Sequence, residues 1–210
     1  MSTLRSTRCA IGADGTPAVR VVALVLAAGA ATRFGRDKLA AQLDGRPLLE
    51  HVLGSLRAVP LPEIVVVTRR ERATPAAGDL LVVVNPTPER GLSSSLRTGL
   101  AAIAALPGAC VEAALIALAD QPRIDPLVIR RLLDAMRTSD RPVVVPAYQG
   151  DVSPNSVLLR RAGLALADEA SGDRGLGPVL DAHPELVLVV PVGGTNPDVD
   201  TLADLARLGR

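Results

Sequence analysis

The stretch Val21 to Lys38, VVALVLAAGAATRFGRDK, restricts the possible folds more than any other part of the chain. Its opening is apolar without the alternation of a strand that has one wet face, so it predicts a strand buried on both sides. It then breaks into small residues and Gly29, and closes with Arg33, Gly35 and Lys38. Small residues let a ligand approach the backbone, glycine permits a tight turn, and two cations suit phosphates. The stretch therefore predicts a nucleoside triphosphate seated on a strand-end loop. Two other readings account for parts of it. With Arg5, Arg8 and Arg20 ahead, the apolar run looks like a signal-peptide core, and a buried strand followed by a solvated basic loop needs no ligand at all. A signal peptide explains neither Arg33 nor Lys38. The stretch lacks the Gly-Lys-Ser/Thr of a P-loop, and GAATRFG is not GxGxxG.

The remaining chain alternates two periods. Pro47 to Arg57 repeats leucine and valine at helical spacing, after an Asp44-Gly45 turn. Glu63 to Thr68 and Leu80 to Val84 predict two more buried strands. Gly91 to about Leu106 predicts a helix whose serines can cap its first N–H groups. Glu112 to Ala119 suits helix or strand; it is read as strand because it stops at Asp120-Gln121-Pro122 and a better helix, Pro126 to Met136, follows. Further strands are expected at Arg141 to Pro146, Val157 to Leu159 and Leu186 to Val192. Helices are expected near Arg160 to Glu169, Leu176 to Ala182 and Leu202 to Leu208. This order implies an α/β layered domain with a mostly parallel sheet. Residues 21–210 are read as one domain, and residues 1–20, polar and without periodicity, as a loose extension.

Composition removes several classes of function. A net charge of +1 provides no field to recruit nucleic acid, and aromatic content of 1% leaves no stacking platforms. No apolar run reaches the length of a membrane span. Cys9 and Cys110 are too few and too far apart for a disulfide framework or a zinc site, which suggests a reducing cytoplasm.

Polar residues fall where strands are expected to end: Thr68, Asn85, Asp120 and, beyond the last strand, Asp198 and Asp200. In open α/β sheets ligands bind at those ends. Mg²⁺ is usually held by one or two carboxylates plus substrate phosphate, a need that Asp120 and Asp200 would meet. Each of these aspartates also has a purely structural reading as a helix cap. Attack on an α-phosphorus by another phosphate needs no histidine or cysteine, because the nucleophile is already ionised near neutral pH. That matches a chain whose His51 falls inside a helix pattern and whose His183 falls in an Ala-His-Pro turn. Gly91-Leu92-Ser93-Ser94-Ser95 approaches a hydrolase elbow but lacks the second glycine and a following histidine.

Taken together, LAAGAATRFGRDK, GRPLLEHVL, NPTPERGLSSSLRTGL, ALADQPRI, VVPAY, GDRG and DVDTLADL resemble MobA-like nucleotidyltransferases, in particular the molybdenum cofactor cytidylyltransferases. The resemblance covers Val21 to about Leu208. It implies a three-layer α/β/α, Rossmann-like fold of the GT-A-like kind. It also implies transfer of CMP from CTP to the terminal phosphate of molybdopterin cofactor, with Mg²⁺ and release of pyrophosphate, and a client molybdoenzyme as possible partner. By position, Leu26, Ala27, Ala28 and Gly29 would hold base and ribose, and Arg33 and Lys38 the triphosphate. Ser95, Thr68 and Asn85 would contact nucleotide, and Asp120 and Asp200 would hold the metal. LAAG resembles the cytidylyl branch, since guanylyl members tend to have LAGG. Where relatives show Gly-His/Asn-Pro-Val on the acceptor side, this chain has Val152-Ser153-Pro154-Asn155-Ser156-Val157. GTP in place of CTP, a sugar- or alditol-phosphate acceptor, and a carrier that binds finished cofactor without turnover are the alternatives.

Overall fold

A computed structural model of the chain describes residues 20–29, 34, 37–72, 80–106, 111–149 and 156–209. Arg33, Gly35, Cys9, Cys110, the segment 150–155 and the extension before residue 20 lie outside these. The first strand, β1 (Arg20–Leu26), is followed by a hairpin of two short strands, β2 (Gln42–Leu43) and β3 (Arg46–Pro47), and by helix α1 (Leu48–Arg57). Asp44 and Gly45 join the hairpin at φ 50° and 77°, the left-handed pair that a two-residue turn requires. Next come β4 (Ile64–Thr68), β5 (Leu80–Val84), α2 (Leu92–Ala104), β6 (Val111–Leu118) and α3 (Pro126–Arg137). The last third holds β7 (Val143–Ala147), β8 (Val157–Arg160), α4 (Leu166–Glu169), α5 (Gly177–Ala182), β9 (Val187–Pro191) and α6 (Leu202–Leu208).

Seven strands among the described residues form one sheet in the order β5-β4-β1-β6-β8-β7-β9. Neighbours are parallel except at β8, which runs antiparallel to both β6 and β7. β1 lies inside the sheet, and its side chains alternate between two cores. Val21, Ala23 and Val25 pack with Val52 and Leu56 of α1 and with Ile129 and Leu132 of α3. Val22, Leu24 and Leu26 pack with Leu96 and Ile103 of α2 and with Val179 and Leu180 of α5. A strand covered on both faces has no reason to alternate apolar with polar, which is why its sequence reads as an unbroken apolar run. The layers are therefore helix, sheet, helix.

On the second face the helix comes very close. A Cβ at Gly99 of α2 would sit 2.3 Å from Leu24 Cδ1 and 2.9 Å from Val67 Cγ2, and both side chains are fully buried. Gly99→Val is expected to lower unfolding free energy by about 1–3 kcal/mol through overpacking. A denaturant midpoint shift at unchanged slope would show it, and an unshifted midpoint would contradict it.

Three local expectations are corrected. β5 is an edge strand with no buried residue, because only β4 pairs with it. α2 has Gly91 at its N-cap and no side-chain cap; Ser94 Oγ instead donates back to the carbonyls of Thr87 and Gly91. The helix expected over Arg160 to Glu169 is a 3-10 turn, Arg161–Gly163, followed by the four-residue α4. Arg160 still belongs to β8, and its guanidinium reaches the carbonyls of Met136 and Ser139. At Gly163 a Cβ would lie 2.8 Å from the Pro142 carbonyl oxygen, just before β7, so the turn passes close against that segment.

Candidate active site

β1 leads outward to β4 and β5 on one side, and the chain later returns to β6 on the other. Such a reversal opens a crevice at the carboxyl ends of the strands. Leu26, Ala27, Ala28 and Gly29 leave β1 into a cleft of about 600 Å³ there. Gly29 is exposed, and a Cβ on it would touch nothing within 4 Å, so glycine leaves open room above the loop rather than serving a left-handed turn. The loop carbonyls are held from behind: Arg69 Nε donates to Ala28 (3.3 Å) and Arg72 Nη1 to Ala27 (2.6 Å). Neither arginine stood out in the sequence, although RRER directly after a strand's end was the available signal.

Lys38 begins a single 3-10 turn, Lys38–Ala40, capped by the Asp37 carboxylate, which accepts from Leu39 N. Asp37 is gripped by Arg72 through two contacts of 2.7 Å. Burial acts to raise the Asp37 carboxyl, but the Arg72 hydrogen bond and charge outweigh it and hold the group below its ordinary value. One arginine thus fixes both the strand-end loop and the turn that carries Lys38.

Lys38 Nζ donates to Asp120 Oδ2 at 2.6 Å and to Asp200 Oδ1 at 3.0 Å. Burial alone would lower the ammonium, yet the two carboxylates dominate and keep it charged above the usual lysine range. Residues far apart in sequence meet because β6 delivers Asp120 beside β1, while Val199, fully buried, donates its N–H to the Asp120 carbonyl (2.9 Å). Val199 packs with Phe34, Leu43 and Leu48, anchoring the loop before α6. The capping readings fall elsewhere. Asp125 caps α3, and Thr201 with Asp204 forms the capping box of α6. Asp198 also lines the cleft and accepts from Gln121 Nε2 at 2.6 Å. Burial, helped by the charges of Asp120 and Asp200, pushes its carboxyl up.

Ser95 lines the cleft, nearly buried, and accepts from Asn85 Nδ2 at 3.0 Å. Thr68 and Asn85 are buried and do not line it. Asn85 is occupied with Ser94, Ser95 and the Thr87 N–H, so it ties the end of β5 to the start of α2. His51 contacts the Leu43 carbonyl and His183 faces Glu169 and Glu185; neither reaches the cleft. The serine cluster has no histidine beside it among the described residues.

Gly91 closes the site's far wall. It sits at φ 82°, and a Cβ there would fall 2.4 Å from Asp173 Oδ1 and 2.6 Å from the Gly172 carbonyl carbon. Strained backbone and collision with main chain add, so Gly91→Ala is expected to cost about 1–3 kcal/mol. Thermal unfolding would measure this, and a variant as stable as the parent would contradict it.

Five carboxylates (Glu89, Asp120, Asp173, Asp198, Asp200) face two cations (Lys38, Arg69) among the described residues lining the cleft. An anionic substrate there needs added positive charge. Asp120 and Asp200 both lie within 3.0 Å of one cationic nitrogen, so a single cation can reach both. No group of three or more metal-ligating side chains exists among the described residues. Two carboxylates completed by phosphate oxygens suit a hard divalent cation.

Comparisons with known proteins bear on the family and the fold. The model of the MobA-like NTP transferase domain matches residues 23–187. The "Probable molybdenum cofactor guanylyltransferase" of Natranaerobius thermophilus is 29% identical over 137 residues, covering 64% of this chain and 63% of that protein. The "Bifunctional protein GlmU" of Sphingopyxis alaskensis is 32% identical over 132 residues, 60% of this chain but 28% of its own length. The chain thus spans less than two thirds of either relative. The structure of Rv0371c from Mycobacterium tuberculosis superposes with a TM-score of 0.75 at 25% identity, covering 91% of this chain and 98% of that one. A manganese complex of the same protein superposes at 0.72 with 23% identity, covering 90% and 98%. A family match over most of the chain, a three-layer sheet fold and a strand-end cleft lead to one conclusion: the chain belongs to the MobA-like NTP transferases, a family of nucleotidyltransferases.

Proposed function

We propose that the chain transfers CMP from CTP to the terminal phosphate of molybdopterin cofactor, releasing pyrophosphate, with Mg²⁺ as its metal. The observation that carries this reading is the Lys38 ammonium between Asp120 and Asp200, at the mouth of the Leu26–Gly29 loop. The acceptor's phosphate oxygen forms a bond to the α-phosphorus of CTP, and the bond from that phosphorus to the bridging oxygen of pyrophosphate breaks. A phosphomonoester has its second pKa near 6, so the nucleophile needs no base. Base and ribose lie along Ala27, Ala28 and Gly29. Lys38, with Arg33 as a further cation, holds the triphosphate oxygens, each by charge-assisted bonds worth roughly 1.5–3 kcal/mol. Asp120 and Asp200 hold Mg²⁺, which when bound withdraws charge from the phosphates. The low aromatic and cysteine content fits a small-molecule enzyme of the cytoplasm that passes its product to a client molybdoenzyme.

Ala28 lines the cleft within the LAAG motif that resembles the cytidylyl branch, which supports cytidine. GTP is the second reading, favoured by the name of the guanylyltransferase relative. Incubating the protein with Mg²⁺, molybdenum cofactor and either CTP or GTP, then identifying the dinucleotide, tests both. Cytosine dinucleotide alone is expected. Exclusive use of GTP moves the chain to the guanylyl branch, and pyrophosphate release only with sugar phosphates replaces the acceptor. Tight binding of finished dinucleotide without turnover would mean a carrier.

A further inference from the structure

β4 is buried along its whole length and ends at Thr68, so the next residue, Arg69, emerges at the carboxyl end of the sheet. It lines the cleft and is half-buried. Its Nε donates to the Ala28 carbonyl at 3.3 Å, and Nη1 and Nη2 have no partner among the described residues. Lys38 on the same wall is committed to Asp120 and Asp200, whereas no carboxylate among the described residues pairs with Arg69. A guanidinium anchored through Nε keeps its far edge, two parallel N–H donors in one plane, turned away from the anchor. Such a fork with nothing to bond fits a planar ligand that presents two adjacent acceptors. Strand order separates the two ends of the site. Asp120 follows β6 on one side of β1, and Arg69 follows β4 on the other. Lys38 and Asp200 gather on the Asp120 side. A nucleotide with its phosphates at that cluster and its ribose along the Leu26–Gly29 loop therefore presents its base on the Arg69 side.

We infer that Arg69 is the residue that reads the base, taking the O2 and N3 acceptors of cytosine with its two terminal nitrogens. The inference rests on the nucleotidyl-transfer reading and names how that site selects its nucleotide. Cytosine and uracil have the same shape, so an apolar wall cannot separate them. They differ at the 4-position and at N3, a bare acceptor in cytosine and an N–H in uracil. Uracil would set its N3–H against an Arg69 N–H, losing one bond and leaving two donors without an acceptor. Guanine also offers an adjacent acceptor pair, O6 and N7, and adenine does not. Arg69 therefore excludes UTP and ATP, and the choice between CTP and GTP falls to other contacts. Lysine could not replace it, because a point charge has no planar fork.

Calorimetric titration of the full chain with the Mg²⁺ complexes of CTP and UTP, without acceptor, reads the discrimination directly. The parent is expected to bind CTP roughly 10–100-fold tighter than UTP, the scale of one bidentate pair. Arg69→Met and Arg69→Lys are both expected to bring that ratio to within about threefold, since neither carries the fork. The triphosphate of the pyrimidin-2-one ribonucleoside keeps O2 and N3 and lacks the 4-amino group, and it is expected to bind the parent like CTP. Binding like UTP instead would place the discrimination on the amino group and overturn the assignment. Equal losses for CTP and UTP, with the ratio kept and Arg69→Lys restoring affinity, would make Arg69 a phosphate contact. The same losses without rescue by lysine would make it only a support for the Ala28 carbonyl. Either result overturns the base assignment, and unchanged affinities in both variants would remove Arg69 from the site. A parent that binds neither nucleotide defeats the nucleotidyl-transfer reading itself. Tight binding with equal affinity for CTP and UTP defeats only this inference.

Discussion

Replacing Lys38 with methionine is expected to lower nucleotidyl transfer by about 10²–10³-fold, the scale of removing one preorganised group from developing charge. The variant should also bind Mg²⁺ more tightly than the parent when no nucleotide is present. Both expectations have one origin. Without nucleotide, the Lys38 ammonium lies between Asp120 and Asp200, 2.6 and 3.0 Å away, and competes with any other cation for those oxygens. Phosphate oxygens arriving in the cleft offer the ammonium new partners and release the carboxylates. Nucleotide and metal should therefore assist each other's binding in the parent, and this coupling should shrink in the variant, since linkage is reciprocal. Calorimetric Mg²⁺ titration with and without a non-hydrolysable CTP analogue measures the coupling. Turnover within threefold of the parent would remove the first role, and unchanged metal affinity the second. Methionine keeps the stem's packing, which matters because the lysine side chain is 11% exposed. The unneutralised carboxylates should lower the melting temperature, and Mg²⁺ should restore it.

On the proposed function, Asp120→Ala is expected to lower turnover at least about a hundredfold, because the charge a metal would place on the transferring phosphate is lost with its proposed ligand. Asp125→Ala, five positions on, provides the contrast. Asp125 accepts from Leu127 N at the start of α3 and lies outside the cleft. Its removal should cost about 1 kcal/mol of stability, the value of a helix cap, with turnover per folded molecule unchanged. If both variants lose turnover alike, Asp120 acts through the fold and not through the metal. Raised Mg²⁺ should partly rescue Asp120→Asn, which keeps one oxygen, more than Asp120→Ala.

The buried strand β1 and the small-residue loop after it were legible because both report local requirements: burial on two faces demands an unbroken apolar run, and ligand approach demands small side chains. Asp120 was legible for the same reason, since a carboxylate ending an apolar strand is conspicuous wherever the strand lies. Its rival reading as a cap could be removed only by seeing Asp125 perform that task. Asp198 and Asp200 were ambiguous in the same way, until Thr201 and Asp204 proved to cap α6 between themselves.

Other features depend on contacts that no window of sequence contains. Edge or interior position of a strand depends on its neighbours, so β5, as apolar as β4, could not be known to lie at the margin. Arg72 became significant only when its guanidinium was found bridging Asp37 and the Ala27 carbonyl across 35 and 45 residues. Ser156 carries no motif, and its left-handed backbone at φ 74° and its unpartnered hydroxyl arise where β8 enters between β6 and β7. Periodicity and residue chemistry determined the layered fold and marked the loop as a candidate phosphate site, because each is a property of neighbouring residues. The tertiary structure decided which charges meet, because Lys38, Asp120 and Asp200 are brought together only by the order of the strands and the anchoring of Val199.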